Sequence, residues 1–223
     1  MKDQIWLDLW KDVKKHTLLA SYLCAASYPW EILSNLGAII HAIGEGLPTD
    51  EYERHEDDVW IARTAHIAAN ACIQGPCIIG HGTELRPGAY LRGNTVVGDE
   101  AVIGNSTELK NCILFDGVQV PHFNYVGDSI LGYRAHLGAG AVTSNVKSDR
   151  SDVIVRIEQT RIPTGRHKLG AILGDRVEVG CHTVLNPGCV IGRESVVYPG
   201  ISLRGYVEGG CIYKGEGNVV RKR

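Results

Sequence analysis

Large apolar residues recur at every sixth position through most of this chain. From Ile61 the step passes through Ile67, Ile73, Ile79, Leu85, Leu91, Val97, Ile103, Leu109 and Phe115. A second run takes in Leu173, Val179, Leu185, Ile191, Val197 and Leu203, and Leu131 and Leu137 keep the same step between the two. At the apolar frequency of ordinary proteins, such unbroken runs arise by chance about once in a few hundred thousand trials. A second column lies four residues after each anchor and holds only small or β-branched side chains: Ala65, Ala71, Cys77, Thr83, Ala89, Thr95, Ala101 and Thr107. A period of six is neither helical nor a simple alternation. It predicts short strands joined by tight turns, each strand sending one bulky residue inward and one small residue to the corner. Three such steps make one coil of eighteen residues, so the fold expected is mainly β: a triangular prism of stacked parallel strands.

Two regions leave the ladder. Residues 1–47 read as a helical segment: Ile5, Leu9 and Val13 recur at helical spacing, and "YPWEIL" places a proline near the start of a second helix. Residues 48–58 are charged and read as a linker into a coil domain over 59–223. Within that domain 144–170 loses the anchors, and alternation of Val153, Val155 and Ile157 predicts a hairpin-like excursion. Long loops in a regular solenoid usually cover or complete a site. The tail "GCIYKGEGNVVRKR" reads as a final strand with a solvated basic end.

Composition narrows the partners. Twenty-three basic residues face twenty-five acidic ones, so neither nucleic acid nor an anionic membrane is an expected partner. Twenty-seven glycines and only two phenylalanines imply a core of small and branched side chains. The seven cysteines are scattered without a C-x-x-C pair, which argues against a disulfide framework or a zinc site and fits a reducing cytoplasm. The apolar run in "KKHTLLASYLCAAS" is too short to span a bilayer.

Coil arithmetic then locates candidate chemistry. Strand alternation turns Glu108 and Lys110 outward around an inward Leu109. Arg92 and Lys110 are eighteen residues apart, one coil step or about 4.8 Å. Arg86 and His122 are thirty-six apart, two steps, on the adjoining strip. The expectation is one edge carrying Arg86, Arg92, Lys110 and His122, a set suited to a phosphate-bearing ligand.

The ladder resembles the hexapeptide-repeat acyltransferases. That resemblance implies a left-handed parallel β-helix and, usually, a homotrimer. Within "GNSTELKNCILFDGVQVPHFNYVGDSILGYRAHLGAGAVTSN" the likeness is to the acetyltransferase half of bifunctional glucosamine-1-phosphate acetyltransferases and uridyltransferases. It rests on Gly104, Asn105, Glu108, Lys110, His122, Tyr125, Gly127, Asp128, Gly138, Ala139, Gly140 and Asn145. The resemblance implies acetyl-CoA as co-substrate, with no metal, and His122 as the general base that deprotonates an attacking amine. It implies that Glu108 orients the imidazole or contacts the amino sugar. Arg92, Lys110, Tyr125 and Asn145, with Arg86 and His136 beside them, would hold a sugar phosphate such as glucosamine 1-phosphate. Ala139, Gly140 and Cys181 would face the acetyl-CoA.

The chain departs from that family at His136, where asparagine is usual, and at Val146, where tyrosine is usual. The lysine expected shortly afterwards is replaced by the excursion, and no L-x-x-G-x-G-T-R loop of a nucleotidyltransferase half appears. A second reading is therefore a catalytically silent sugar-phosphate or nucleotide-sugar module, related to the C-terminal domains of sugar nucleotidyltransferases. A third, a gamma-class carbonic anhydrase, is disfavoured because the residue five after His81 is Arg86, which does not ligate a cation. A single prism edge is a shallow shelf. Assembly of several copies, with the 144–170 arm reaching a neighbour, would deepen it into a groove.

Overall fold

The computed structural model describes residues 8–222. The chain winds as a parallel β-helix with three faces, of nine, nine and seven strands in the order the chain meets them. One full turn takes the first face at Cys77–Ile79, the second at Glu84–Leu85 and the third at Tyr90–Arg92, then returns to the first at Thr95–Val97. Every anchor from Ile79 to Leu109 points into the shared interior, as do Leu131, Leu137 and the later run through Leu203. The small column lines the corners as expected, with Cys77, Thr83, Ala89, Thr95, Ala101 and Thr107 all buried. Each buried aliphatic anchor contributes roughly 1.5–3 kcal/mol against the ordering cost of the chain.

The step of six fails once in the first run. Val97 pairs with Leu114, not with Phe115, and Leu114 pairs with Leu131. These two coils hold seventeen residues because a single left-handed residue, Asn111 and then Asp128, closes their third corner. The preceding coil uses two at that corner, Gly93 and Asn94. Phe115 is consequently fully buried outside the prism, with its ring 5.2 Å from that of Trp10.

The first face is covered. Its outward residues Trp60, Ile78, Val96, Ile113, Ile130, Ile172 and Val190 form a second core with Leu9, Trp10, Leu19, Trp30, Leu33, Leu36 and Ile40 of the N-terminal segment. That segment contains helices Val13–His16, Ala20–Ala25 and Leu36–Gly44, with a 3-10 turn Pro29–Asn35 that begins on the proline. Ile5 lies outside the described residues. A continuous helix through Leu9 and Val13 does not form, because the intervening backbone bonds to the coil. The Leu9 carbonyl accepts from the Asp175 amide at 2.9 Å, and the Lys11 amide donates to Asp175 Oδ2 at 2.6 Å. Asp12 turns the chain with φ 55°. No helix among the described residues is long and apolar enough to cross a membrane.

Part of the charged stretch expected to be a linker is structured. Tyr52–His55 pairs antiparallel with Val59–Ala62 and covers the edge that the first coil strand would otherwise expose. Val219–Arg221 does the same for Cys211–Tyr213 at the other end of the second face.

The excursion leaves the third face after Val142–Thr143 and re-enters the first at Ala171–Leu173. It contains an antiparallel hairpin, Ile154–Ile157 with Thr160–Pro163. Part of this arm packs on its own chain. Val153, Val155, Ile157 and Leu169 are buried against the first face of the same chain. Three apolar side chains on one side of a short strand find their nearest apolar surface there. Re-entry needs Gly170: a Cβ at that position would stand 2.3 Å from the Gly127 carbonyl oxygen and 2.2 Å from Ser129 Oγ.

Candidate functional site on the third face

Over its first four strands the third face turns mostly polar side chains outward. Two outward columns run along it: Cys72, Tyr90, Glu108 and Tyr125, and beside them Gln74, Arg92, Lys110 and Gly127. Glu108, Lys110 and Tyr125 are half-buried and Arg92 is exposed. Arg92 and Lys110 are adjacent across one coil step, as the spacing predicts. Arg92 Nη1 donates to Glu108 Oε1 at 2.6 Å, and this hydrogen bond holds the guanidinium above its ordinary pKa. Lys110 makes no ion pair among the described residues.

His122 ends the strand Gln119–His122 at the edge where the second face turns into the third. It is exposed, and its ring makes no side-chain hydrogen bond among the described residues. Glu108 therefore does not orient the imidazole here, because it is engaged by Arg92. What holds His122 is its backbone. The amide donates to Asn124 Oδ1 at 3.1 Å, and the carbonyl accepts from the Gly140 amide at 3.0 Å. Asn124 is buried, and its Nδ2 donates to the carbonyls of Gly138 and Ala141, both at 2.9 Å. Next to His122, Phe123 adopts a left-handed φ of 53° and is 61% exposed.

Arg86 does not join this group. The seventeen-residue coil puts His122 in register with Asn105, one position beyond the level of Arg86. Arg86 stays on the second face, bound to Glu84 at 3.0 Å. His136 is also on the second face, its Nδ1 2.7 Å from Glu178 Oε2, so it does not face the Lys110 column. Ala139, Gly140 and Cys181 continue the edge that His122 occupies. The His182 amide donates to the Ala139 carbonyl at 2.9 Å, and the Gly200 amide to that of Cys181 at 2.8 Å. Cys181 is exposed.

At the opposite edge of the third face, Tyr125 and Asn145 meet over Gly127. The Asn145 amide donates to the Tyr125 hydroxyl at 3.2 Å and to Asp128 Oδ2 at 2.6 Å. A Cβ on Gly127 would stand 2.4 Å from the Tyr125 hydroxyl and 2.8 Å from Asn145 Nδ2, so glycine is what lets these groups converge. Burial pushes the Tyr125 phenol above its ordinary pKa, and the Asp128 carboxylate adds to the rise. Asp128 is 3% exposed and also accepts from Asn111 Nδ2 at 2.8 Å.

The arrangement thus offers a solvent-facing imidazole at one edge and a cation with a phenol and an amide towards the other. The profile of the GMPPB C-terminal domain matches residues 73–198, more than half of the chain and all of this site. The chain belongs to that family. A bifunctional sugar-1-phosphate nucleotidylyltransferase/acetyltransferase of Sulfurisphaera tokodaii is 36% identical over 128 residues, 57% of this chain and 32% of that protein. The bifunctional protein GlmU of Methanococcus maripaludis is 34% identical over 210 residues, 92% of this chain and 50% of that protein. The chain spans half or less of the length of these two relatives. The acetyltransferase domain of PglB from Neisseria gonorrhoeae, solved with acetyl coenzyme A, is 16% identical with a TM-score of 0.34. That likeness covers 79% of this chain and 62% of the other.

Asn124 and Arg166 escaped the sequence reading. Asn124 had a faint signal: it stands four residues after Val120, in the column that elsewhere holds small or β-branched residues. Arg166 had none, since nothing in the excursion's sequence says which face it returns to.

Proposed function

We propose that the chain is a CoA-dependent acyltransferase that moves an acetyl group from acetyl-CoA to the amine of a phosphorylated amino sugar such as glucosamine 1-phosphate. The observation that carries this reading is the exposed imidazole of His122 at the edge of a face that bears Lys110, Arg92, Tyr125 and Asn145. His122 takes the amine proton as nitrogen attacks the thioester carbonyl, and the tetrahedral intermediate then breaks its C–S bond, the proton passing to the departing CoA thiolate. Lys110 and Arg92 hold the phosphate, and Tyr125 and Asn145 the sugar. Ala139, Gly140 and Cys181 lie along the thioester, where a backbone N–H stabilises the tetrahedral oxyanion. Similarity to proteins named as nucleotidylyltransferase/acetyltransferases supports the class of reaction.

The site lies on an open face, and the working form is a homotrimer in which a second prism supplies the other wall. Size-exclusion chromatography with light scattering should report three chains, and a monomer would remove that part of the reading. The function itself is tested by thiol release from acetyl-CoA in the presence of glucosamine 1-phosphate. His122→Ala should lower turnover about a hundredfold or more without shifting thermal unfolding. Equal rates for wild type and variant would exclude His122 as the base.

A second reading, a silent nucleotide-sugar or assembly module, is favoured by the match to a GMPPB C-terminal domain and by the Arg92–Glu108 pair, which occupies a phosphate-binding cation. Saturable binding of a nucleotide sugar by calorimetry, with no thiol release, would select it.

A further inference from the structure

The excursion brings the Arg166 side chain to the corner between the third face and the first. Arg166 is half-buried, its side chain only 14% exposed, and it is anchored from three segments. Its Nε donates to the Lys168 carbonyl at 3.1 Å, and Nη1 bonds to Ser34 Oγ of the N-terminal segment. Nη2 lies 3.7 Å from Asp128 Oδ1. The chain around it is pinned to the same corner. The Leu169 amide donates to the Asn145 carbonyl at 3.0 Å, and the Gly170 amide to the Asp128 carbonyl at 2.9 Å.

We infer that Arg166 is a positioning residue for the candidate site: it compensates the buried Asp128 carboxylate, which in turn holds the Asn145 amide against the Tyr125 hydroxyl. A buried carboxylate is costly unless hydrogen bonds and a nearby cation compensate its charge. Asn111 and Asn145 supply hydrogen bonds to Asp128 but no charge, and Arg166 is the cation that faces it. Without that cation the carboxylate turns towards water. That movement takes an acceptor from Asn145 Nδ2, the donor that also reaches Tyr125. Arginine suits this place because its planar fork serves Ser34, Lys168 and Asp128 together. Burial lowers its pKa, and Asp128 opposes that shift. The excursion, which carries none of the repeat's anchors, thereby becomes part of the machinery on the third face.

The consequence for a sugar phosphate rests on the function proposed above, so the test has one arm that requires no turnover. Crystal structures of Arg166→Met and Arg166→Lys should differ. In the methionine variant Asn145 leaves Asp128 or the Tyr125 hydroxyl, whereas in the lysine variant Nζ replaces the guanidinium at Asp128 and Asn145 stays. Asn145 and Tyr125 unmoved in a folded Arg166→Met protein overturn the inference. Should that protein not fold, a lysine turned away from Asp128 with Asn145 and Tyr125 still in place overturns it equally.

In the kinetic arm, Arg166→Met should raise KM for glucosamine 1-phosphate about tenfold with KM for acetyl-CoA unchanged, and Arg166→Lys should recover most of the loss. Arg166→Met added to Asn145→Ala should cost nothing further, since both act through one amide. Additive losses overturn the inference. A wild-type protein with no turnover defeats the proposed reaction and leaves the crystallographic arm to decide the role of Arg166.

Discussion

Ile113 and Glu108 stand five residues apart, and both point away from the prism interior. Ile113 is fully buried and Glu108 is half-exposed. The strands that carry them have the same inner anchors, the same parallel pairing and the same small corner residues. The first and third faces differ only in the outward side chains. On the first face these are isoleucine, valine and tryptophan, and two segments outside the ladder fold back to cover them. On the third, over the strands from Tyr90 to Gly127, they include tyrosine, arginine, glutamate and lysine, and none of these is fully buried. A repeat builds the scaffold; the side chains it turns outward assign each face its task.

That contrast is open to direct attack. Ile113→Asp buries an unpaired carboxylate under the N-terminal segment and should cost about 4 kcal/mol or more in chemical denaturation. Glu108→Ile, the reverse exchange on the open face, should change stability by less than about 1 kcal/mol while disturbing Arg92. Similar losses for the two would erase the distinction between the faces. Phe115→Ala tests the coil that slipped. Its ring packs against Trp10 outside the prism, so removal should cost about 3–5 kcal/mol and loosen the N-terminal segment. Increased proteolysis within residues 8–44 would report the loosening.

Tyr52 sharpens the comparison at alkaline pH. Burial at the margin of the covered face pushes its phenol up to about 12, with Asp99, Glu51 and Asp116 adding to the rise. The unfolded chain ionises this group near the ordinary phenol value of 10.0 while the folded chain keeps the proton. Above pH 10 the folded state therefore binds more protons, and stability falls as pH climbs towards 12. Tyr52→Phe should flatten the thermal midpoint across that window, and an unchanged slope would locate the effect elsewhere. The smallest effect belongs to Arg86→Ala. Its pairing with Glu84 on the second face is partly exposed, so stability should move by less than about 0.5 kcal/mol and turnover not at all. A large loss of turnover would return Arg86 to the site from which the register removes it.

What could be read from residues alone was whatever repeats. A step of six held over many coils imposes parallel stacking, an aliphatic interior and small corners, because burial is local to each strand and additive along the ladder. The same periodicity made Arg92 and Lys110 neighbours. The chain alone did not show that Asn111 and Asp128 each close a corner unaided. One missing residue changes every later register, and it moved His122 past Arg86 and Phe115 out of the prism interior. Nor did it show that Glu108 would be taken by Arg92, or that Arg166 would return to Asp128 from an arm packed on its own chain. Those outcomes depend on which surfaces meet after winding, and contacts between segments far apart in sequence carry no period to be read.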